Sequence, residues 1–484
     1  MTALTHEIDN LSGAGASRLA ALRRWAALPV VLAGVAMVVL DFFIVNVAMP
    51  ATQTELHASV SQIQWVVASY GLAFAAGLIT AGRLGDHLGR RKMFAWGLAL
   101  FTITSAACGA APTAEVLVAA RVAQGVAAAL LMPQVLAILG VAYEGADRVK
   151  AFTAYTLTLG IAAVAGQLIG GALIQADPAG LGWRSCFLVN VPIGIVALAL
   201  TLRFVPESRM QGESRLDLVG ATVITAALVA IVLPLIQGRD QGWPLWTWLS
   251  FAAAVVLLAD FALTQRRKAA RGGSPLVHPA LFAERAFSAG LVSVVVFYAS
   301  VASFFLVLAL YLQEARHLGP LESGLVFSLL GAGFMATTFV AGKLSARLGR
   351  QTLALGALMR AVALTALILA VHEVGSHGSV AWLALPLLLD GAGMGLVMGP
   401  VMSTVLEKVS PEHAGAASGV LSTAQQVGNA VGVAAIGVVY FGALDGGNSI
   451  PHAFQLGLIG LAGLSVVVAL IVQLLPRARL EPAG

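Results

Sequence analysis

Gly82-Arg-Leu-Gly-Asp-His-Leu-Gly-Arg-Arg91 separates two long apolar stretches, and a near copy, Gly342-Lys-Leu-Ser-Ala-Arg-Leu-Gly-Arg-Gln351, separates two more, 260 residues later. Both copies keep an opening glycine, a basic residue, a leucine and a closing Leu-Gly-Arg. Glycine allows a tight turn and close helix contact, while clustered bases mark a membrane-surface loop on the positively biased side. A solitary basic loop would be ordinary. Its recurrence points to an internal duplication, and duplicated transporters work as two halves about a central site. Asp86, present only in the first copy, can pair with a neighbouring base or sit at a helix N-terminus. Gly82, Gly85, Asp86, Gly89, Arg90 and Arg91 are therefore read as a built loop at the membrane face, with Arg90 and Arg91 able to hold helix ends or lipid phosphates.

The surrounding composition fits a lipid solvent. Of 484 residues, 59% are hydrophobic and 11% charged, against about 25% charged in an ordinary soluble domain. A bilayer core takes about 20 apolar residues per helix. Helices are expected near 27–49, 62–81, 93–112, 115–139, 151–174, 186–204, 217–237, 246–264, 287–312, 323–343, 352–371, 380–403, 414–441 and 453–474. Fourteen spans place both termini on one side. Most of the 28 Lys and Arg fall in alternate loops, including Arg23, Arg24, Arg90, Arg91, Lys92, Arg148, Lys150, Arg203, Arg266, Arg267, Lys268, Lys343, Arg347, Arg350 and Lys408. That asymmetry puts both termini in the cytoplasm. The expected organisation is a loose cytoplasmic tail (1–26), a six-helix bundle (27–204), two inserted helices with basic linkers (205–286), a second six-helix bundle (287–475) and a short cytoplasmic tail (476–484).

Several function classes recede. The net charge of +5 follows topology and forms no basic stripe interleaved with aromatics, so nucleic acid is not an expected partner. Cys108 and Cys186 form no CxxC pair, so neither a cysteine metal site nor a disulfide framework is expected. No Walker loop, HExxH, serine triad or spaced histidine cluster is present. No cofactor or metal is expected, and the proton motive force is the expected driving force. The N-terminus is not read as a signal peptide.

Ionisable residues inside spans are functional candidates by default, because lipid makes them costly. Four stand out: Asp41 in helix 1, Arg121 in helix 4, Arg360 in helix 11 and Asp390 in helix 12. Asp41 lies about 13 Å from one membrane face and Arg121 about 12 Å from the same face, at about 1.5 Å per residue. Matched depth and opposite charge predict a pair that responds to a proton. Asp390, near mid-membrane, is a second site for a proton or a cationic substrate. Arg360 lies nearer the cytoplasmic end, where it is expected to snorkel in a structural role. Asp260 and Glu115 are near helix ends and can reach water. Helix 5 carries Gly160, Gly166, Gly170 and Gly171, and the Gly166-x-x-x-Gly170 spacing predicts close helix approach. Helix 12 carries Gly391, Gly393, Gly395 and Gly399 beside Asp390, suited to packing or to making room for a ligand. Trp65, Tyr70, Phe42 and Phe43 can stack on an apolar ligand.

These residues resemble the major facilitator superfamily and, within it, the fourteen-spanner drug:proton antiporters, over about Leu28 to Leu475. Gly82-x-Leu-Gly-Asp86-x-x-Gly-Arg-Arg91 is similar to the family's loop between helices 2 and 3, which latches the cytoplasmic side. Arg121-Val-Ala-Gln124-Gly125 resembles the helix 4 motif linked to proton transfer. Leu40-Asp41-x-x-Ile-Val-Asn46-Val-Ala-Met-Pro50 resembles the helix 1 signature, whose aspartate is associated with proton coupling. Trp183-Arg184-x-x-Phe187-x-x-Asn190-x-Pro192-x-Gly194 resembles the start of helix 6. The resemblance implies a major facilitator fold whose cavity lies among helices 1, 4, 9 and 12. It implies proton coupling through Asp41 and Arg121 and puts Asp390 on a cavity helix with them; the expected proton-coupling residues are thus Asp41, Arg121 and Asp390, and the expected substrate cavity includes Phe42, Asn46, Gln124 and Asp390. The expected function is proton-driven export of amphipathic or cationic small molecules by a monomer in the plasma (inner) membrane. The competing readings are an exporter dedicated to one metabolite, lipid or self-made antibiotic, and, from another class, a membrane-embedded enzyme.

Overall fold

At bilayer depth no water satisfies backbone N–H and C=O groups, so an apolar run must close its hydrogen bonds within itself, as a helix does. In the computed structural model every regular element among the described residues is helical. The structure describes residues 2–209, 217–271, 273, 275, 277, 279–406 and 414–475. Fourteen long helices follow in order: α1 Thr2–Glu55, α2 Val60–Leu88, α3 Arg90–Gly109, α4 Ala114–Ala142, α5 Gly145–Ala176, α6 Asn190–Phe204, α7 Leu218–Gln237, α8 Leu245–Ala270, α9 Arg285–Leu310, α10 Pro320–Leu348, α11 Arg350–Val374, α12 Ala384–Leu406, α13 Ala414–Asp445 and α14 Ile450–Ile471. A short turn, Ser185–Leu188, leads into α6, and α9 runs on into a π-helical turn, Tyr311–Ala315.

Two expectations change. The segment read as a loose tail is helical from Thr2 and continuous with α1. Leu19-Ala-Ala-Leu-Arg-Arg24 are good helix formers, and no proline interrupts them before Pro29. The count of spans also falls short of fourteen by composition. Among the described residues twelve helices are long and apolar enough to cross a membrane, and up to thirteen with the bent α2 counted as one span. The helix outside that count, α3, is 20 residues long and opens on Arg90, Arg91 and Lys92, which offset its apolar body. The second part of the basic linker (210–216), Lys408 and the tail 476–484 lie outside the described residues.

The duplication seen in the loops is written into the packing. In the first half α2 packs on α4, α3 on α4, α1 on α5, α3 on α6 and α1 on α6; each pairing recurs eight helices later as α10 on α12, α11 on α12, α9 on α13, α11 on α14 and α9 on α14. The halves meet through α5 on α10 and α2 on α13, which exchange under the same shift. Glycines set the closest crossings. A methyl on Gly125 of α4 would come 2.4 Å from the Tyr70 carbonyl oxygen of α2, and one on Gly391 of α12 would come 1.9 Å from the Leu330 carbonyl oxygen of α10. The inserted α7 rests on α2 and α13, while α8 leans mainly on α7.

The contacts between halves gather away from the basic loops. A methyl on Gly171, near the end of α5, would lie 2.4 Å from the Pro320 carbonyl oxygen at the start of α10. Gln313 Nε2 donates to the Val47 carbonyl (3.3 Å), and Gln64 of α2 lies directly on Gly437 of α13. Arg239, after α7, pairs with Asp445 at the end of α13 (3.2 Å).

Candidate functional site

The helix pairings bring the matched-depth charges together. Asp41 and Arg121 are both 0% exposed, and Arg121 Nη1 donates to Asp41 Oδ2. An ionised carboxylate in this setting needs its lone pairs filled, and a guanidinium its N–H groups. Asp41 Oδ1 accepts from Gln124 Nε2 (2.9 Å) and Asn190 Nδ2 (3.0 Å). Both amides also donate to Ser105 Oγ (3.2 and 3.1 Å), which donates to the Phe187 carbonyl (2.8 Å). Arg121 Nε donates to the Val66 carbonyl (3.0 Å) and Nη1 to Gln124 Oε1 (2.8 Å). Its planar head lies 4.2 Å above the Tyr70 ring. Nη2 of Arg121 and Oδ1 of Asn190 are buried without a protein partner. One carboxylate from α1 is thus tied to α2, α3, α4 and α6.

The second half buries a different pair. Arg360 Nε of α11 donates to Asp390 Oδ1 of α12 (2.8 Å), with each residue 1% exposed. The expected snorkelling of Arg360 does not occur: its side chain turns into the bundle, where an opposite charge outweighs the reach to the surface. Its head lies 5.3 Å from the Phe297 ring centre. Arg360 Nη1 and Nη2 and Asp390 Oδ2 have no protein partner. Gly393 sits against Arg360, where a methyl would come 2.6 Å from its Cγ, so this glycine serves helix packing.

The other candidate residues divide between the cluster and the helix contacts. Gln124 faces Asp41. Asn46 turns back to donate to the Phe43 carbonyl of its own helix (3.1 Å). Phe42 is half-buried, with its ring centre 5.1 Å from that of Phe43. On α5, Gly166 and Gly170 lie against Leu40, Phe43 and Ile44 of α1, whereas Gly160 and Gly171 lie against Phe334, Pro320 and Leu321 of α10. The glycine stripe therefore has two faces, one within a half and one between halves.

The loop between α2 and α3 turns on a single residue. Gly89, at φ +111°, breaks α2 from α3, a conformation costly for any residue with a Cβ. Arg90 reaches back to Asp86 Oδ1 (2.8 Å). Glu207, after α6, accepts from the backbone N–H of Arg91 (3.1 Å) and Lys92 (3.3 Å), so a carboxylate caps the N-terminus of α3. A methyl on Gly85 would overlap Gln134, whose amide donates to the Ala81 carbonyl (2.8 Å); Gly82 lies 3.7 Å by the same measure from Pro133. Arg83 Nη2 donates to the Pro275 carbonyl of the linker before α9 (2.6 Å). That linker is tied to the insert through Gln265, which accepts from the Val277 N–H (3.2 Å) and donates to Asp217 Oδ2 (3.0 Å).

Sequence reasoning did not assign Ser105, Asn190 or Glu207 to these sites. Asn190 carried a signal, an amide inside an apolar run, but nothing local aimed it at Asp41. Ser105 carried none.

A two-fold bundle of long apolar helices, with opposed charges sealed inside each half, defines a multi-pass membrane carrier. Residues 31–433 match the family model of the Major Facilitator Superfamily, and the chain belongs to that family. Among its relatives are a probable actinorhodin transporter of Streptomyces coelicolor (36% identical, covering 87% of this chain and 73% of the relative) and a puromycin resistance protein of Streptomyces alboniger (36% identical, 95% and 93%). Another is a multidrug resistance protein of Mycobacterium tuberculosis (33% identical, 84% and 74%). The fold matches crystal structures of a peptide transporter with sulfate (TM-score 0.67, 15% identical, 92% of this chain and 93% of that one) and of a related transporter with 5-aminolevulinic acid (0.67, 15%, 92% and 95%).

Proposed function

We propose that this protein is a proton-coupled exporter of small amphipathic compounds, working by alternating access in the plasma membrane with both termini in the cytoplasm. The observation that carries the coupling is the sealed Asp41–Arg121 pair. A proton on Asp41 removes the charge that Arg121, Gln124 and Asn190 all answer. Arg121 would then relax toward Gln124 and the Val66 carbonyl, and the contacts from α1 to α2, α3, α4 and α6 would rearrange together. One protonation event is in this way converted into a change of helix packing, which alternating access requires. The contacts between halves lie opposite the basic loops. With those loops cytoplasmic, the cavity is sealed on the outside and receives substrate from the cytoplasm.

The relatives named for antibiotic transport and resistance support export, and those named for one compound favour a dedicated exporter of a single antibiotic as the second reading. Reconstitution in liposomes with an imposed pH gradient and a panel of dyes, antibiotics and lipids separates the two by breadth of substrate. In the same vesicles Asp41→Asn should keep substrate exchange without a gradient and lose uphill accumulation. Undiminished accumulation by that variant would remove Asp41 from the mechanism.

A further inference from the structure

We propose that Glu314 is a second proton site of this carrier, set in the gate at the end opposite the basic loops, and that its ionised form favours opening of that gate; this rests on the proton-coupled reading and adds a control to it. Where the halves touch, α1 faces α9. The contact begins at the Phe43 and Phe305 rings, 4.9 Å apart, and runs to Gln313 Nε2 on the Val47 carbonyl (3.3 Å). Glu314 is the next residue. It lies in the π-helical turn Tyr311–Ala315, where the Arg316 N–H donates to the Tyr311 carbonyl five residues back (3.1 Å). Such a turn is rare and frequently marks a functional position. The other side is supplied by α13. Tyr440 is fully buried, lies close to Glu314, and stands one turn from Gly437, on which Gln64 of the first half rests. The carboxylate is thus flanked by two of the contacts that join the halves.

Glu314 is half-buried, and among the described residues it has no hydrogen bond or ion pair. The other charged and titratable groups at this end are engaged elsewhere or turned to water. Arg316 gives Nη1 to the Gly375 carbonyl (3.0 Å) and Nη2 to that of Gly378. Tyr311 donates to the Gly375 carbonyl (2.9 Å) and stacks on Phe454 of α14 (4.6 Å). Glu322 of α10 accepts from the Gly319 N–H (2.9 Å), Arg239 pairs with Asp240 and Asp445, and Glu55 of the first half pairs with Arg184. His317, His372, Glu373, His377 and His452 are exposed. The Tyr440 hydroxyl, by contrast, is buried without a protein partner. An ionised carboxylate with neither a cation nor a full shell of water is costly, and a protonated one far less so. Parting of the halves hydrates Glu314. Ionisation therefore favours the parted arrangement and a proton the closed one. The neutral carboxyl can also donate to, or accept from, the Tyr440 hydroxyl. With the basic loops cytoplasmic, a proton taken up from outside closes the gate behind departing substrate.

The test reads the gate directly in the purified full chain, without a pH gradient. Paired labels at Thr54 and His377, exposed positions of the two halves at that end, report its width. The Asp41→Asn background silences the first-half pair. In that background the ratio of open to closed gate should rise about tenfold or more from pH 5 to pH 8. Adding Glu314→Gln, which fixes the neutral shape, should hold the ratio within about twofold over the same range. Glu314→Asp keeps a carboxylate and should retain the rise. Glu314→Ala gives the same readout as the glutamine variant should that one fail to fold. No rise in the Asp41→Asn background, or a rise that survives loss of the Glu314 carboxylate, would overturn the proposal. A gate that follows Glu314 in a protein without gradient-driven transport in liposomes would instead sink the coupled-export reading and leave the proton site standing.

Discussion

Arg121 in the first half has three acceptors and the face of Tyr70, whereas Arg360 in the second has one acceptor, Asp390, and the face of Phe297. Both sit in equivalent bundles, so the difference lies in the polar company each guanidinium keeps. A buried ion that loses its sole partner is left uncompensated, at a cost of about 3–5 kcal/mol. One that keeps other acceptors can lose a partner and stay folded. The first pair is therefore suited to switching and the second to holding α11 against α12.

The sharpest way to break that comparison is to neutralise each carboxylate. Asp390→Asn should lower stability by about 3–5 kcal/mol in thermal unfolding, while Asp41→Asn should unfold close to the parent and fail only in coupling. Equal destabilisation by the two would erase the distinction. Glycine contacts sharpen it next. Gly391→Ala places a methyl against the Leu330 carbonyl inside one half and should cost about 1–3 kcal/mol in any conformation. Gly171→Ala acts only where α5 meets α10, so distances measured between labels on those helix ends should widen with little change in unfolding.

The smallest effects belong to the basic end. Glu207→Ala uncaps α3 and should cost about 1 kcal/mol. Asp217, the N-cap of α7, is pushed up by burial but pulled further down by Lys268, Gln265 and the Gly220 N–H, to about 2. Its stabilising contribution is thus complete above the ordinary carboxylate range and lost only as pH falls toward 2. Lys268 is 34% exposed, so solvent screening keeps the ion pair to about 1 kcal/mol or less. Asp217→Asn should lower the unfolding temperature by the same small amount at pH 5 and pH 8; a difference that grew between them would contradict this balance.

The two loop copies show how divergence is absorbed. In the second copy Ser345 and Ala346 stand where the first has Gly85 and Asp86. Lacking the aspartate, Arg350 donates instead to the carbonyls of Gln473 and Leu475 beyond α14. The turn glycine survives, since Gly349 keeps a positive φ of 54°, but the base now fixes a helix end.

Apolar run length, the alternation of basic loops and the repeated Gly-x-Leu motif determined that the chain spans a membrane repeatedly in two related halves, because lipid leaves each long apolar segment no choice but helix. Depth along α1 and α4 also foretold the Asp41–Arg121 meeting, since rise per residue is fixed. Rotation about each helix axis and the choice of neighbour were decided only in three dimensions. They turned Arg360 inward to Asp390, brought Ser105 and Asn190 to Asp41, and set Phe43 against Phe305, because those outcomes depend on close packing between segments far apart in the chain.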